Sequence, residues 1–352
     1  MANKTNPGNF FEDFQLGQKL IHATPRTITR GDSSLYTALY GTRFAVHSSS
    51  TFARSIGLPE APLDDMLVFH VVFGKTVPDI SLNAIANLGY AQGRFGLPVY
   101  PGDTVNTVSE VIGLKENSNR KTGTVYVRSV GTNQRGEVVL DYVRWVMVRK
   151  NDSAADVGGA VLPDLPNAVA AGELIVPEGL RLSEYDGQLA GSPHFWDDYE
   201  AGEKIDHVDA MTVEESDHMT ATRLYQNTAK VHFNQHTEKD GRFGKRIVYG
   251  GHIISLARAL SFNGLANAFK IAAINGGRHV APIFAGDTVY AWSEVLEKEA
   301  LPGRNDLGAL RLRMIAAKDH ACSDFPYKSA DGKYHTAVVL DFDFTVLMPR
   351  RA

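Results

Sequence analysis

The sequence predicts an α+β protein built from two tandem copies of one unit, each a single apolar helix wrapped by an antiparallel sheet. Three observations predict it. The chain repeats itself at a separation of about 185 residues, each copy holds one long apolar helical segment, and each copy ends in alternating β-branched and aromatic runs. With 352 residues, 43% hydrophobic and 22% charged, the length suits two cores of ordinary size.

The duplication rests on identities that share one register. At a shift of 185, Asp13, Gly17, Lys19, Thr27, Thr37, Leu39, Tyr40, Val46 and His47 fall on Asp198, Gly202, Lys204, Thr212, Thr222, Leu224, Tyr225, Val231 and His232. At 184, the segment from Gly93 (GRFGLPVYPGDTVNTVSEV) overlies the one from Gly277 (GRHVAPIFAGDTVYAWSEV). Val138 to Asp141 then recurs as Val338 to Asp341, which implies a polar insertion around Ala321 to Tyr334, with Asp331-Gly332 as its turn. A repeat of this length is a whole domain rather than a solenoid unit. The expected division is residues 1–150 and 194–352, joined by a linker at 151–193. That linker is rich in Ala, Gly, Pro and Asp and is expected to drape over the surface.

Within each copy the elements follow in order. Pro62 to Val77 and Tyr249 to Leu260 are the helical segments. In the second, Ile253, Ile254, Leu256, Ala257 and Leu260 recur at helical spacing. Gly102 and Gly286 open Gly-Asp-Thr turns. TVYVRSV and VVLDYVRWVMV in the first copy, RLRMI and VVLDFDFTVL in the second, read as strands. One buried helix held by a curling antiparallel sheet is the hot-dog arrangement. Two copies in one chain can pair their sheets edge to edge, doing within one polypeptide what a single-copy protein does by dimerising.

Composition excludes several function classes. A formal charge of −4 with scattered Lys and Arg gives no basic stripe for nucleic acid. The lone Cys322 allows no internal disulfide, and no run approaches a membrane span, so a cytoplasmic location is expected. The twelve histidines show no zinc-binding spacing, and neither a metal nor a cofactor is expected.

The candidate chemistry gathers in the second copy, in Leu224-Tyr225-Gln226-Asn227-Thr228-Ala229-Lys230-Val231-His232 and then Ile247-Val248-Tyr249-Gly250-Gly251-His252. This stretch resembles the MaoC-like, R-specific enoyl-CoA hydratases, in which an acid stands five residues before a histidine and Ile-Val-His-Gly opens the central helix. His232 matches the histidine, Asn227 occupies the acid's place, and Tyr249-Gly250 occupies the His-Gly place. The resemblance implies a catalytic second copy, a CoA-thioester substrate, and a first copy that receives the acyl group. An amide cannot accept a proton at neutral pH, so His232 carries more of the base role while Asn227 holds water. Gly250 offers helix N–H groups to a thioester oxygen.

The first copy repeats the spacing as Thr42 and His47, but its helix opens Leu63-Asp64-Asp65-Met66 without the glycine. Asp64 and Asp65 are candidates to replace the missing acid or bind substrate, and helix-terminal carboxylates are the alternative. Gly93, Arg94 and Phe95, with Arg278, are substrate-binding candidates. The arginines suit CoA phosphates or a substrate carboxylate, with surface ion pairing equally open. Further stretches, NPGNFFEDFQLGQ and HVVFGKTVPDISLNAIANLGYAQGRFG, resemble the mesaconyl-CoA hydratase family. That resemblance implies interconversion of mesaconyl-CoA and 2-methylmalyl-CoA by addition or loss of water. It requires a cation near the acyl end, for which Arg94, Arg223 and Arg278 are candidates. A homodimer is left open.

Overall fold

The structure, a computed structural model, describes residues 4–351. Its frame is one ten-stranded sheet in the order β1-β3-β4-β5-β2-β7-β10-β9-β8-β6. The first copy supplies β1 (Lys19–Thr27), β2 (Ala84–Phe95), β3 (Thr104–Glu116), β4 (Thr122–Thr132) and β5 (Val138–Arg149). The second supplies β6 (Lys204–Thr212), β7 (Lys270–His279), β8 (Thr288–Ala300), β9 (Leu307–Lys318) and β10 (Val338–Pro349). Among the described residues every strand pairing is antiparallel, and the two five-strand orders mirror each other across β2 and β7.

That central pairing is symmetric in register. Tyr90 lies opposite Gly277 and Gly93 opposite Ile274, pairs that exchange under the repeat. Gly93 is required there, because a Cβ would stand 2.8 Å from the Cβ of Ile274. The same pseudo-two-fold brings repeat-equivalent side chains together. The hydroxyls of Tyr40 and Tyr225 meet at 2.7 Å, and His70 Nε2 meets Ser255 Oγ at 2.9 Å.

Among the described residues four helices have eight or more residues: α1 (Arg30–Tyr40), α2 (Asp65–Thr76), α3 (Glu215–Leu224) and α4 (Gly250–Leu260). Helices α2 and α4 are the two apolar segments, and one continuous core encloses both. They run antiparallel: Phe73 near the end of α2 packs on Tyr249 at the start of α4, while the Asp64 charge acts on Arg258 near the end of α4. Helices α1 and α3 were not expected; both are short and lie outside the most apolar stretches. Thr29 caps α1 through the Asp32 N–H.

The 151–193 segment departs from a surface drape in its later part. Leu180, Leu182 and Tyr185 are buried with Phe52, Phe269 and Leu347 in a second apolar cluster. The Ala321–Tyr334 insertion packs over Trp292 through Phe325 and Tyr327.

Candidate active site

The repeat builds two equivalent places, one at the N-terminus of each central helix, and the chain fills them differently. In the second copy, α4 opens at Gly250 with no side-chain cap from Tyr249. The first N–H groups of a helix have no intrahelical acceptor, so those of Gly250 and Gly251 remain available to a ligand oxygen. His279, at the end of β7, lies directly over Gly250, where a Cβ would stand 2.4 Å from its ring. Only glycine leaves room for this approach.

His232 sits on a single 3-10 turn (Lys230–His232), its ring 5.5 Å from that of Tyr249. Its Nδ1–H donates to the Ile247 carbonyl at 3.0 Å, which fixes the tautomer and leaves Nε2 as the lone-pair nitrogen. Among the described residues, no hydrogen bond engages that Nε2. Burial holds the imidazole down at about 4, against the opposing Ile247 contact, so the ring is neutral at physiological pH. His279 is likewise held at about 4 by burial, with His232 adding to the shift, and its Nε2 faces the Tyr90 hydroxyl at 3.2 Å.

Asn227 is buried, and its Oδ1 accepts the Ala229 N–H at 3.0 Å. This local turn commits the carbonyl oxygen and leaves the NH2 as the group that can face a ligand. The first copy holds the segment in place. The Tyr225 carbonyl lies against Gly74 of α2, where a Cβ would meet it at 1.8 Å. Arg26 donates to the Leu224 carbonyl, and Lys75 donates to the Gln226 side chain.

The equivalent place in the first copy is narrowed to a cavity of about 10 Å³ lined by Thr42, His47 and Asp64, and its helix end is satisfied by the protein itself. Asp64 caps α2 by accepting the Met66 N–H at 2.9 Å. Asp65 pairs with Lys270 at 2.9 Å and accepts the Ile271 N–H at 2.8 Å, both from β7. His47 faces the Pro62 carbonyl at 3.2 Å through Nδ1 and the Phe269 carbonyl at 2.9 Å through Nε2, so neither nitrogen is open to water. Phe95 occupies the strand position that His279 occupies in the second copy. Asp64 and Asp65 therefore do not reach the cleft of Asn227 and His232. The antiparallel helices set them at the far end, roughly 15 Å from Gly250 at 1.5 Å per residue.

Of the sequence candidates, His232, Tyr249 and Gly250 come together, with Asn227 on the adjoining turn. Three arginines do not join them. Arg94 is held on the outer face by Asp141 at 3.3 Å and Glu173 at 3.2 Å. Arg278 is exposed and, since side chains alternate along a strand, faces away from His279. Arg223 is exposed on α3. Sequence reasoning missed His279, Tyr90 and Phe73. The available signal for His279 was the one histidine that replaces a phenylalanine between the two Gly-Arg segments.

Among the described residues, no group of three or more His, Cys, Asp or Glu is placed to hold a metal, and no helix is long and apolar enough to cross a membrane.

Comparison with known proteins agrees across the whole chain. A family model described as mesaconyl-CoA hydratase matches residues 1–329. A β-methylmalyl-CoA dehydratase of Chloroflexus aurantiacus is 68% identical over 351 residues, covering 100% of both chains. A mesaconyl-CoA hydratase of Cereibacter sphaeroides is 60% identical, covering 99% of this chain and 100% of the relative. A crystal structure of a MaoC domain dehydratase from C. aurantiacus superposes with a TM-score of 0.98 at 68% identity, covering 100% of each chain. A Mycobacterium tuberculosis protein with a double hot-dog fold gives 0.77 at 26% identity, over 97% of this chain and 99% of that one.

Proposed function

We propose a reaction for this chain from one premise: it belongs to the mesaconyl-CoA hydratase family. The chain is a hydro-lyase that interconverts mesaconyl-CoA and 2-methylmalyl-CoA by adding or removing water. The observation that carries this reading is its identity of 68% and 60%, end to end, with a β-methylmalyl-CoA dehydratase and a mesaconyl-CoA hydratase.

The second-copy geometry supports the following residue roles. The thioester oxygen accepts the N–H groups of Gly250 and Gly251, whose positive helix end stabilises the enolate-like charge that develops on hydration. The water sits between the free Nε2 of His232 and the NH2 of Asn227. His232 takes its proton as the oxygen attacks the β-carbon, and the imidazolium then delivers that proton to the α-carbon of the enolate; in dehydration His232 removes the α-proton and returns it to the departing hydroxyl, which leaves as water. Asn227 only donates, so it orients the water and the product hydroxyl. Tyr249 and His279 wall the cleft. General base and oxyanion contributions of this kind lower a barrier by several kcal/mol in all.

The test is purified protein with mesaconyl-CoA, read on two channels. Loss of the conjugated thioester absorbance without free thiol is the expected result. Release of free thiol would make the chain a thioesterase, and neither signal would make it a binding protein.

A further inference from the structure

The water site between His232 and Asn227 is one acceptor short. A water that attacks carbon has two O–H groups to place, and an acidic side chain at the position of Asn227 would take the second. Here the Asn227 carbonyl oxygen is committed to the Ala229 N–H, and its NH2 only donates. His232 Nε2 receives one O–H and leaves the other without a partner.

Helix α3 carries a second imidazole with an open nitrogen. His218 is buried, and its Nε2 lies 3.1 Å from Glu215 Oε2. A carboxylate only accepts, so Nε2 carries the hydrogen and Nδ1 keeps the lone pair. That Nδ1 is buried and meets no hydrogen-bond partner among the described residues. Burial lowers the proton affinity of the ring, against the opposing pull of Glu215, so the imidazole is neutral at physiological pH.

Three observations bring His218 to the cleft of His232. Its charge acts on both His232 and His252. Arg246 ties the two elements together: it donates to Glu215 and, at 3.3 Å, to the carbonyl of Phe233, the residue after His232. The carbonyl of Ile247, the residue after Arg246, in turn accepts the His232 Nδ1–H. The repeat supplies the third observation. Ser33 stands 185 residues before His218 and lines the small first-copy cavity with Thr42, His47 and Asp64, the counterparts of Asn227, His232 and Tyr249. A cavity of about 10 Å³ is on the scale of a single water, so the repeat marks a water site at this place. Glu215, His218 and Arg246 stand where the first copy carries Arg30, Ser33 and Ala61, so the fold itself does not require them.

We infer that His218, held by Glu215, is the second acceptor for the reacting water and takes over that part of the missing acid's work. This assignment rests on the hydratase reading above. The water donates one O–H to His232 Nε2 and the other to His218 Nδ1, while the Asn227 NH2 donates to its oxygen. The β-carbon is the fourth neighbour, which completes the tetrahedral surroundings of the oxygen and aims its lone pair. On attack the first proton passes to His232. The second stays on oxygen, and the product hydroxyl keeps its bond to His218. In dehydration the same bond holds the hydroxyl while His232 protonates it.

The test follows hydration of mesaconyl-CoA by His218→Phe, which keeps a ring and removes the acceptor. Its kcat is expected to fall by about tenfold or more with KM within about threefold of wild type, because the lost bond orients the water rather than the thioester. His218→Asn, whose Oδ1 can occupy the place of Nδ1, recovers most of that loss. Asn227→Asp added to His218→Phe also recovers it, since the second carboxylate oxygen supplies the acceptor. A histidine with a merely structural role would not be rescued from position 227. If His218→Phe does not fold, His218→Ser, with the residue that the first copy carries, takes its place with the same expectations. A kcat within about threefold of wild type in the folded variant, or a loss that neither His218→Asn nor Asn227→Asp recovers, would overturn the assignment. A wild type that does not hydrate mesaconyl-CoA removes the hydratase reading and this assignment with it, whereas an active wild type with unchanged variants removes the assignment alone.

Discussion

The two helix N-termini at the heart of the sheet descend from one pattern and now do opposite things. At α2, Asp64 and Asp65 satisfy the helix end and bind β7 through Lys270, while His47 is held between two carbonyls. At α4, Gly250 leaves the helix end bare and His232 keeps one nitrogen open. The difference teaches that a duplicated site is retired by filling it: the same helix dipole is neutralised by the protein's own carboxylates in one copy and kept for a ligand in the other.

The largest expected effect breaks the filled copy. Asp65→Ala leaves Lys270 buried without its partner, and loss of one member of a buried pair costs roughly 3–5 kcal/mol. Denaturant unfolding should show that loss, and a change below about 1 kcal/mol would mean that the pair does not hold the halves together. The next breaks the open copy. His232→Ala should lower turnover on mesaconyl-CoA by about a hundredfold or more, whereas His47→Ala should act mainly on stability. The reverse order would move the chemistry to the first copy.

Acid sharpens the comparison. Burial holds His232, His279 and His207 at about 4, and His70 and His252 at about 3, all below the ordinary 6.5. The folded protein keeps them neutral while the unfolded chain protonates them, so their contribution to stability is complete above about pH 6.5 and drains as pH falls toward 4. The urea midpoint should be clearly lower at pH 5 than at pH 7.5. Over that interval kcat/KM should show no fall assignable to His232, which loses its base form only near 4. The smallest effect belongs to Asn227→Asp, where a carboxylate can still accept the Ala229 N–H. Turnover within about tenfold of wild type is expected, and complete loss would mean that the amide's donors are indispensable.

The duplicated hot-dog architecture was legible because repeat identities and apolar periodicity survive in the primary structure. Helices α1 and α3 were not, since RGDSSLYTALY and ESDHMTATRL are short and largely polar, α1 owing its start to the Thr29 cap and both resting on the central pair. Asp64 and Asp65 drew notice as adjacent charges in an apolar run, but the antiparallel course of the two helices, which decides what they face, is a tertiary fact. His279 was missed because the copies were compared for what they share, and it stands where the other copy carries Phe95.

The β2·β7 seam also imposes an order on synthesis. Residues Tyr90 to Arg94 pair with Ala273 to Gly277, which leave the ribosome some 180 residues later. At 5 to 20 residues per second, the first half waits on the order of 10 to 40 s with that strand edge open. During that interval the nascent chain carries an unpaired seam and Asp65 without Lys270. A chain arrested in the 151–193 segment would keep both, and another such chain offers the nearest matching edge.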